Sequence, residues 1–110
     1  MRYVFAAKAS DLPEGGKLKV QVEGSDILLT RLGGQVYAIN NKCTHMGGSL
    51  VDGLFADGLV SCPRHGATFD LKTGKVVRGG KMGPLKFTPR DVQSYPVQAD
   101  GEDILLGLDS

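Results

Sequence analysis

The chain has 110 residues, 13 Lys or Arg against 12 Asp or Glu, and a formal net charge of +1. That length supports one domain with one modest core, and the near-zero balance argues against a generic nucleic-acid binder, which carries a large basic excess. No apolar run approaches the about 18 residues that span a bilayer, and Met1 to Lys8 is too short for a signal-peptide core, so a cytoplasmic protein without a membrane segment is expected. No two glycines stand two apart, and none of the three Gly-Lys pairs precedes Ser or Thr, which excludes G-x-G-x-x-G and Walker-type phosphate loops. Sixteen glycines with 6% aromatics suit a loop-rich β protein.

Lys17 to Val22 alternates, with Leu18, Val20 and Val22 on one face and Lys17, Lys19 and Gln21 on the other, the period of a half-buried strand. Strands are predicted at Ile27–Leu32 and Gln35–Ile39, joined by Gly33-Gly34, a pair that takes positive φ at both centres of a hairpin turn. Shorter strands are predicted at Leu59–Cys62, Ala67–Phe69 and Lys75–Val77, with a turn at Thr73-Gly74. A second hairpin is predicted from Val92–Val97 and Ile104–Leu108 around Asp100-Gly101. No segment keeps a 3.6-residue apolar period, so the pattern predicts an all-β antiparallel sandwich or barrel. Between the hairpins the texture changes: residues 40–90 hold most of the glycines and every Cys and His.

Those four residues fall into two loops, Cys43-Thr44-His45-Met46-Gly47-Gly48 and Cys62-Pro63-Arg64-His65-Gly66-Ala67, with 16 residues between His45 and Cys62. Each loop offers one thiolate and one imidazole. Read from residues alone, the pattern leaves four accounts: scattered structural side chains, a Cys43–Cys62 disulfide, a structural Cys₂His₂ zinc site, or a 2Fe–2S cluster with two Cys on one iron and two His on the other. A cytoplasmic setting argues against the disulfide, and zinc loops ordinarily pair thiolates at C-x₂₋₄-C rather than offering Cys-x-His.

The arrangement Cys-x-His, a 16-residue gap, then Cys-x-x-His resembles the Rieske iron–sulfur signature. Phe69-Asp70-Leu71 with Thr73-Gly74 is similar to the strand and turn that follow it, and Gly83-Pro84 stands where that family has a proline loop. The resemblance implies a single domain over residues 1–110, with an inserted cluster-binding subdomain at about 40–86. It further implies one Rieske-type 2Fe–2S cluster, with Cys43 and Cys62 on the inner iron and His45 and His65 on the outer, more exposed one. Gly47, Gly48 and Gly66 would let backbone pass close to the sulfurs, and their N–H groups could donate to them. His45 and His65 are expected at an exposed tip, with Met46, Leu50, Pro84 and Leu85 as an apolar rim.

Two ferric irons, two sulfides and two thiolates sum to zero charge, so this ligand set accepts an electron more readily than an all-Cys cluster. High-potential members carry an additional disulfide and hydroxyl donors to the cluster. The corresponding positions resemble Gly48 and Arg64 for the bridge, and Ala67 and Phe69 for the donors, so the resemblance implies a potential toward the low end of the range. Both histidines are committed, and flavin and nicotinamide motifs are missing. The expectation is therefore a small electron carrier rather than an enzyme, with a reductase as donor and a terminal oxygenase as acceptor, no nucleic-acid or membrane partner, and a monomer favoured. The alternatives are the small subunit of an assimilatory nitrite reductase and, in another class, a structural zinc or redox-sensing module.

The net charge conceals a dipole. Residues 61–90 carry Arg64, Lys72, Lys75, Arg78, Lys81, Lys86 and Arg90 against Asp70 alone, whereas residues 91–110 hold five acids and no base. Such a collar could steer an acidic partner face.

Overall fold

The computed structural model describes residues 1–44 and 48–109, Met82 by its backbone alone. The strands are β1 Arg2–Lys8, β2 Lys17–Val22, β3 Ser25–Leu32, β4 Gln35–Asn40, β5 Leu54–Ala56, β6 Leu59–Ser61 and β7 Thr68–Asp70. They continue with β8 Val76–Arg78, β9 Gly80–Met82, β10 Leu85–Phe87, β11 Ser94–Tyr95, β12 Val97–Asp100 and β13 Asp103–Leu108. All pairings are antiparallel, in sheets ordered β1-β13-β12, β11-β4-β3-β2, β5-β6-β7-β8 and β9-β10.

Turn chemistry sets the register. The β2–β3, β3–β4 and β5–β6 hairpins close on Glu23-Gly24, Gly33-Gly34 and Asp57-Gly58, each with positive φ at both residues. That is the type I′ pattern, whose twist matches the strands it joins.

Strand β3 organises the core because it is buried on both faces. Leu28 packs with Ile39, Cys43, Leu50, Val60, Cys62 and Phe69, whereas Ile27 and Leu29 pack with Ala38, Ile104 and Leu106. The β11-β4-β3-β2 sheet is therefore a shared wall. The β1-β13-β12 sheet covers one side of it and the β5–β8 sheet, with the Cys–His loops, the other. A strand covered twice reads as a continuous apolar run rather than an alternating one, as Ile27-Leu28-Leu29 does. The molecule measures 49 × 30 × 17 Å and exposes 6233 Å², against about 5,900 Å² expected for its mass.

The all-β antiparallel expectation holds, with local differences. The predicted strand Val92–Val97 is two strands: β11 pairs with β4 and β12 with β13, parted at Pro96, which has no N–H to give a ladder. The paired parts of the shorter strands begin one residue later than predicted at Thr68 and Val76, and β6 stops at Ser61. Strands β1, β5, β9 and β10 were not expected. Among the described residues, no helix is long and apolar enough to cross a membrane.

Candidate metal centre

The two predicted loops leave the wall and its neighbouring sheet as closed hairpin ends. After β4, the buried Asn41 side chain donates to Ser49 Oγ at 2.8 Å and accepts the Val51 N–H at 2.8 Å. Its carbonyl accepts the Leu50 N–H at 2.7 Å, and Lys42 bridges Ser49. Asn41 is thus a clamp across the base of the first loop, a role no spacing in the sequence announces. The second loop connects β6 and β7, where Ser61 and Thr68 hydroxyls meet at 2.9 Å and Thr68 Oγ1 donates to the Gly66 carbonyl at 3.1 Å.

One backbone device recurs. Cys43 donates its N–H to the Gly48 carbonyl at 2.8 Å, and Cys62 donates its N–H to the Ala67 carbonyl at 2.7 Å. In each loop the cysteine N–H is tied to the carbonyl of the residue five positions on. The loops also touch each other: a Cβ on Gly48 would lie 2.7 Å from Cys62 Sγ and 3.3 Å from Arg64 Cγ. The first loop passes the second sulfur at a distance only glycine permits.

Cys43 and Cys62 are both thiols and both buried, each 5% exposed, in the core that holds Leu28, Val60 and Phe69. The disulfide reading is therefore not realised. His65 is half-buried, meets the Phe87 ring edge-on with centroids 6.0 Å apart, and accepts the Lys81 N–H on its carbonyl at 2.9 Å. The β9–β10 hairpin is docked on the second loop through these contacts. Thr44 adds a tie on the other side, donating from its hydroxyl to the Arg90 carbonyl.

Among the expected site features, Cys43 and Cys62 share one core cluster and His65 stands beside Phe87, which packs against that cluster, while His45, Met46 and Gly47 lie outside the described residues; among those described, no three Cys, His, Asp or Glu side chains form a group that could hold a metal ion. Gly66 takes the left-handed φ of +78° that glycine favours, with nothing within 4 Å of where a Cβ would stand, and its N–H goes to the Cys62 carbonyl at 3.1 Å rather than to a sulfur. Pro84 and Leu85 are exposed at the tip of the β9–β10 hairpin, Leu85 by 67%. Leu50 is a correction. It is fully buried in the core beside Cys43, not on an apolar rim, because the short helical turn Leu50–Asp52 folds its side chain under the loop.

Soft thiolates buried in apolar surroundings are costly as bare anions and are stabilised by a bound cation. Two of them behind a more exposed imidazole fit an iron–sulfur group entered from the surface. Four such ligands also suit tetrahedral zinc, and comparison with known proteins separates the two. Residues 2–96 match the family model described as Rieske [2Fe-2S] domain. The ferredoxin subunit of 3-phenylpropionate/cinnamic acid dioxygenase from Escherichia coli K12 is 38% identical over 109 residues, covering 98% of this chain and 95% of that one. Among solved structures, the ferredoxin of carbazole 1,9a-dioxygenase from Nocardioides aromaticivorans IC177 superposes with a TM-score of 0.79 at 31% identity, covering 99% of this chain and 100% of that one. The terminal oxygenase of the same system matches with a TM-score of 0.82 at 30% identity, covering 99% of this chain but only 30% of its own. With the paired Cys–His loops, the shared wall and a family match over most of its length, this chain belongs to the Rieske [2Fe–2S] domain family.

Proposed function

We propose that this protein is a one-electron carrier of an aromatic-ring oxygenase system, with Cys43 and Cys62 holding the inner iron and His45 and His65 the outer iron of its Rieske cluster. The observation that supports the ligand assignment is the contact between the loops: Gly48 accepts the Cys43 N–H on its carbonyl and packs against Cys62 Sγ, and both cysteines are buried in one core cluster. When bound, the cluster supplies reversible uptake of a single electron at a neutral core. The chain's own residues do the rest. Leu28, Val60 and Phe69 exclude water from the thiolate side, while the half-buried His65 marks the side open to a partner.

The near end-to-end correspondence with ferredoxin subunits supports a carrier, with a reductase as electron donor and a terminal oxygenase as acceptor. We place it in the cytoplasm, as one domain over residues 1–110 with a cluster-binding part at about 40–86. The test is substitution of this protein for the ferredoxin subunit of 3-phenylpropionate/cinnamic acid dioxygenase in a reconstituted assay. The expected result is NADH-driven reduction of its cluster by the reductase component and reoxidation by the oxygenase component. A cluster-loaded protein that accepts no electron from the reductase would contradict the carrier reading.

A further inference from the structure

The basic segment is not spread evenly. Arg78, Lys81 and Lys86 line one groove of about 440 Å³ together with Gly79, Gly80 and Phe87. The groove abuts the candidate centre directly, since Phe87 meets the His65 ring and the Lys81 N–H binds the His65 carbonyl. Gly80 makes this fit tight: a Cβ there would lie 2.6 Å from the His65 carbonyl oxygen and 2.7 Å from the Phe87 ring.

Among the described residues these cations have no carboxylate partner. The two ion pairs among the described residues are Arg2–Glu23 and Lys8–Asp103, both on the far side of the shared wall or at its edge. The nearest acids in sequence are already engaged, Asp70 with the N–H groups of Lys72 and Thr73, and Asp91 with that of Val76. Three exposed like charges beside one groove repel one another in the free protein, and an opposing set of carboxylates removes that cost.

Resting on the carrier reading above, we propose that this groove is the docking surface for an acidic protein partner, an electron acceptor whose contact face carries clustered Asp or Glu. Seating carboxylates on Arg78, Lys81 and Lys86 places the partner against the Phe87–His65 edge, the exposed side of the centre. The sign of the charge selects the partner and raises its rate of encounter.

The holoprotein, reduced with dithionite and freed of excess, is mixed in a stopped-flow instrument with two protein oxidants: an acidic blue-copper protein and basic cytochrome c. Each takes one electron from the cluster, copper(II) becoming copper(I) and ferric haem ferrous. The expected result is a rate to the acidic acceptor that falls steeply with added salt, and a rate to cytochrome c that rises. Lys81→Gln/Lys86→Gln should slow the acidic acceptor about tenfold at low salt, the low end of electrostatic steering. Gln98→Glu/Ala99→Glu makes the same change in net charge on exposed positions of β12, beyond the wall, and should leave that rate nearly unchanged.

Equal responses of the two variants would overturn the docking surface, as would salt-independent rates. A drop caused by millimolar inorganic phosphate at constant ionic strength would reassign the groove to small anions and overturn it too. Absence of a reducible cluster would instead count against the carrier reading, so the two failures are distinct.

Discussion

Replacing Gly48 with alanine places a methyl group 2.7 Å from Cys62 Sγ. Comfortable contact between non-bonded heavy atoms begins at about 3.5 Å, so sulfur and loop must separate by roughly 1 Å. Neither side yields easily. The loop is pinned by the Cys43 N–H bond to the Gly48 carbonyl and by the Asn41 clamp, and Cys62 by its bond to Ala67. Overpacking of this kind costs about 1–3 kcal/mol, which in a domain of this size lowers the melting temperature by about 4–12 °C. The displacement falls on a sulfur assigned to the cluster, so iron content should fall as well. The assay is iron and acid-labile sulfide per chain after identical purification, followed by thermal melts of the holoprotein. Gly66→Ala is the contrast, since it carries φ +78° but meets nothing within 4 Å. It should cost about 1–2 kcal/mol in backbone strain and keep its iron. A Gly48→Ala protein with full iron and a melting point within about 2 °C of the parent would refute the close-approach argument.

Leu50→Ala should destabilise the protein by about 2–5 kcal/mol in denaturant titrations. A change below about 0.5 kcal/mol would instead return Leu50 to the surface. The core around the thiols offers no hydroxyl at Ala67 or Phe69, and the Thr68 hydroxyl is engaged with Gly66 and Ser61. The midpoint potential should therefore fall in the lower part of the Rieske range of roughly −150 to +300 mV, and a value above about +150 mV would count against this. Phe69→Tyr should raise it by the order of 60 mV, one tenfold step for a one-electron couple, measured by spectroelectrochemistry; an unchanged midpoint would remove Phe69 from the account. Arg2 hydrogen-bonds Glu23 and holds its carboxyl below the usual carboxylate range. A lowered folded-state value means the pair contributes above the unfolded carboxyl's pKa and is lost as pH falls through the folded one, so Glu23→Gln should lower the melting temperature slightly near neutral pH and not in acid.

The family was legible because its signal is discrete. Four side chains of two rare types stand in two loops, and nothing else in the chain competes for their roles. The β3–β4 hairpin was legible from Gly33-Gly34 for the same reason. The Asp57-Gly58 turn carried an equal signal that the strand pattern around it was too short to frame, and Glu23-Gly24 demands a positive φ from a residue type that does not announce it. Strand β1 was hidden because Tyr3-Val4-Phe5-Ala6 is apolar on both faces, with Tyr3 and Phe5 exposed, so no alternation marks it. Leu50 was misplaced because an apolar residue beside a loop reads alike whether it turns inward or outward. The short helical turn and the Asn41 clamp decide that, and both arise from contacts rather than from pattern.

The most direct measurement is metal and sulfide analysis of the aerobically purified protein, with EPR of the dithionite-reduced sample. The account predicts two irons and two sulfides per chain and a spin-half signal on reduction, both lost in Cys62→Ser and in His65→Ala. A colourless protein holding one zinc per chain, silent after reduction, would contradict it.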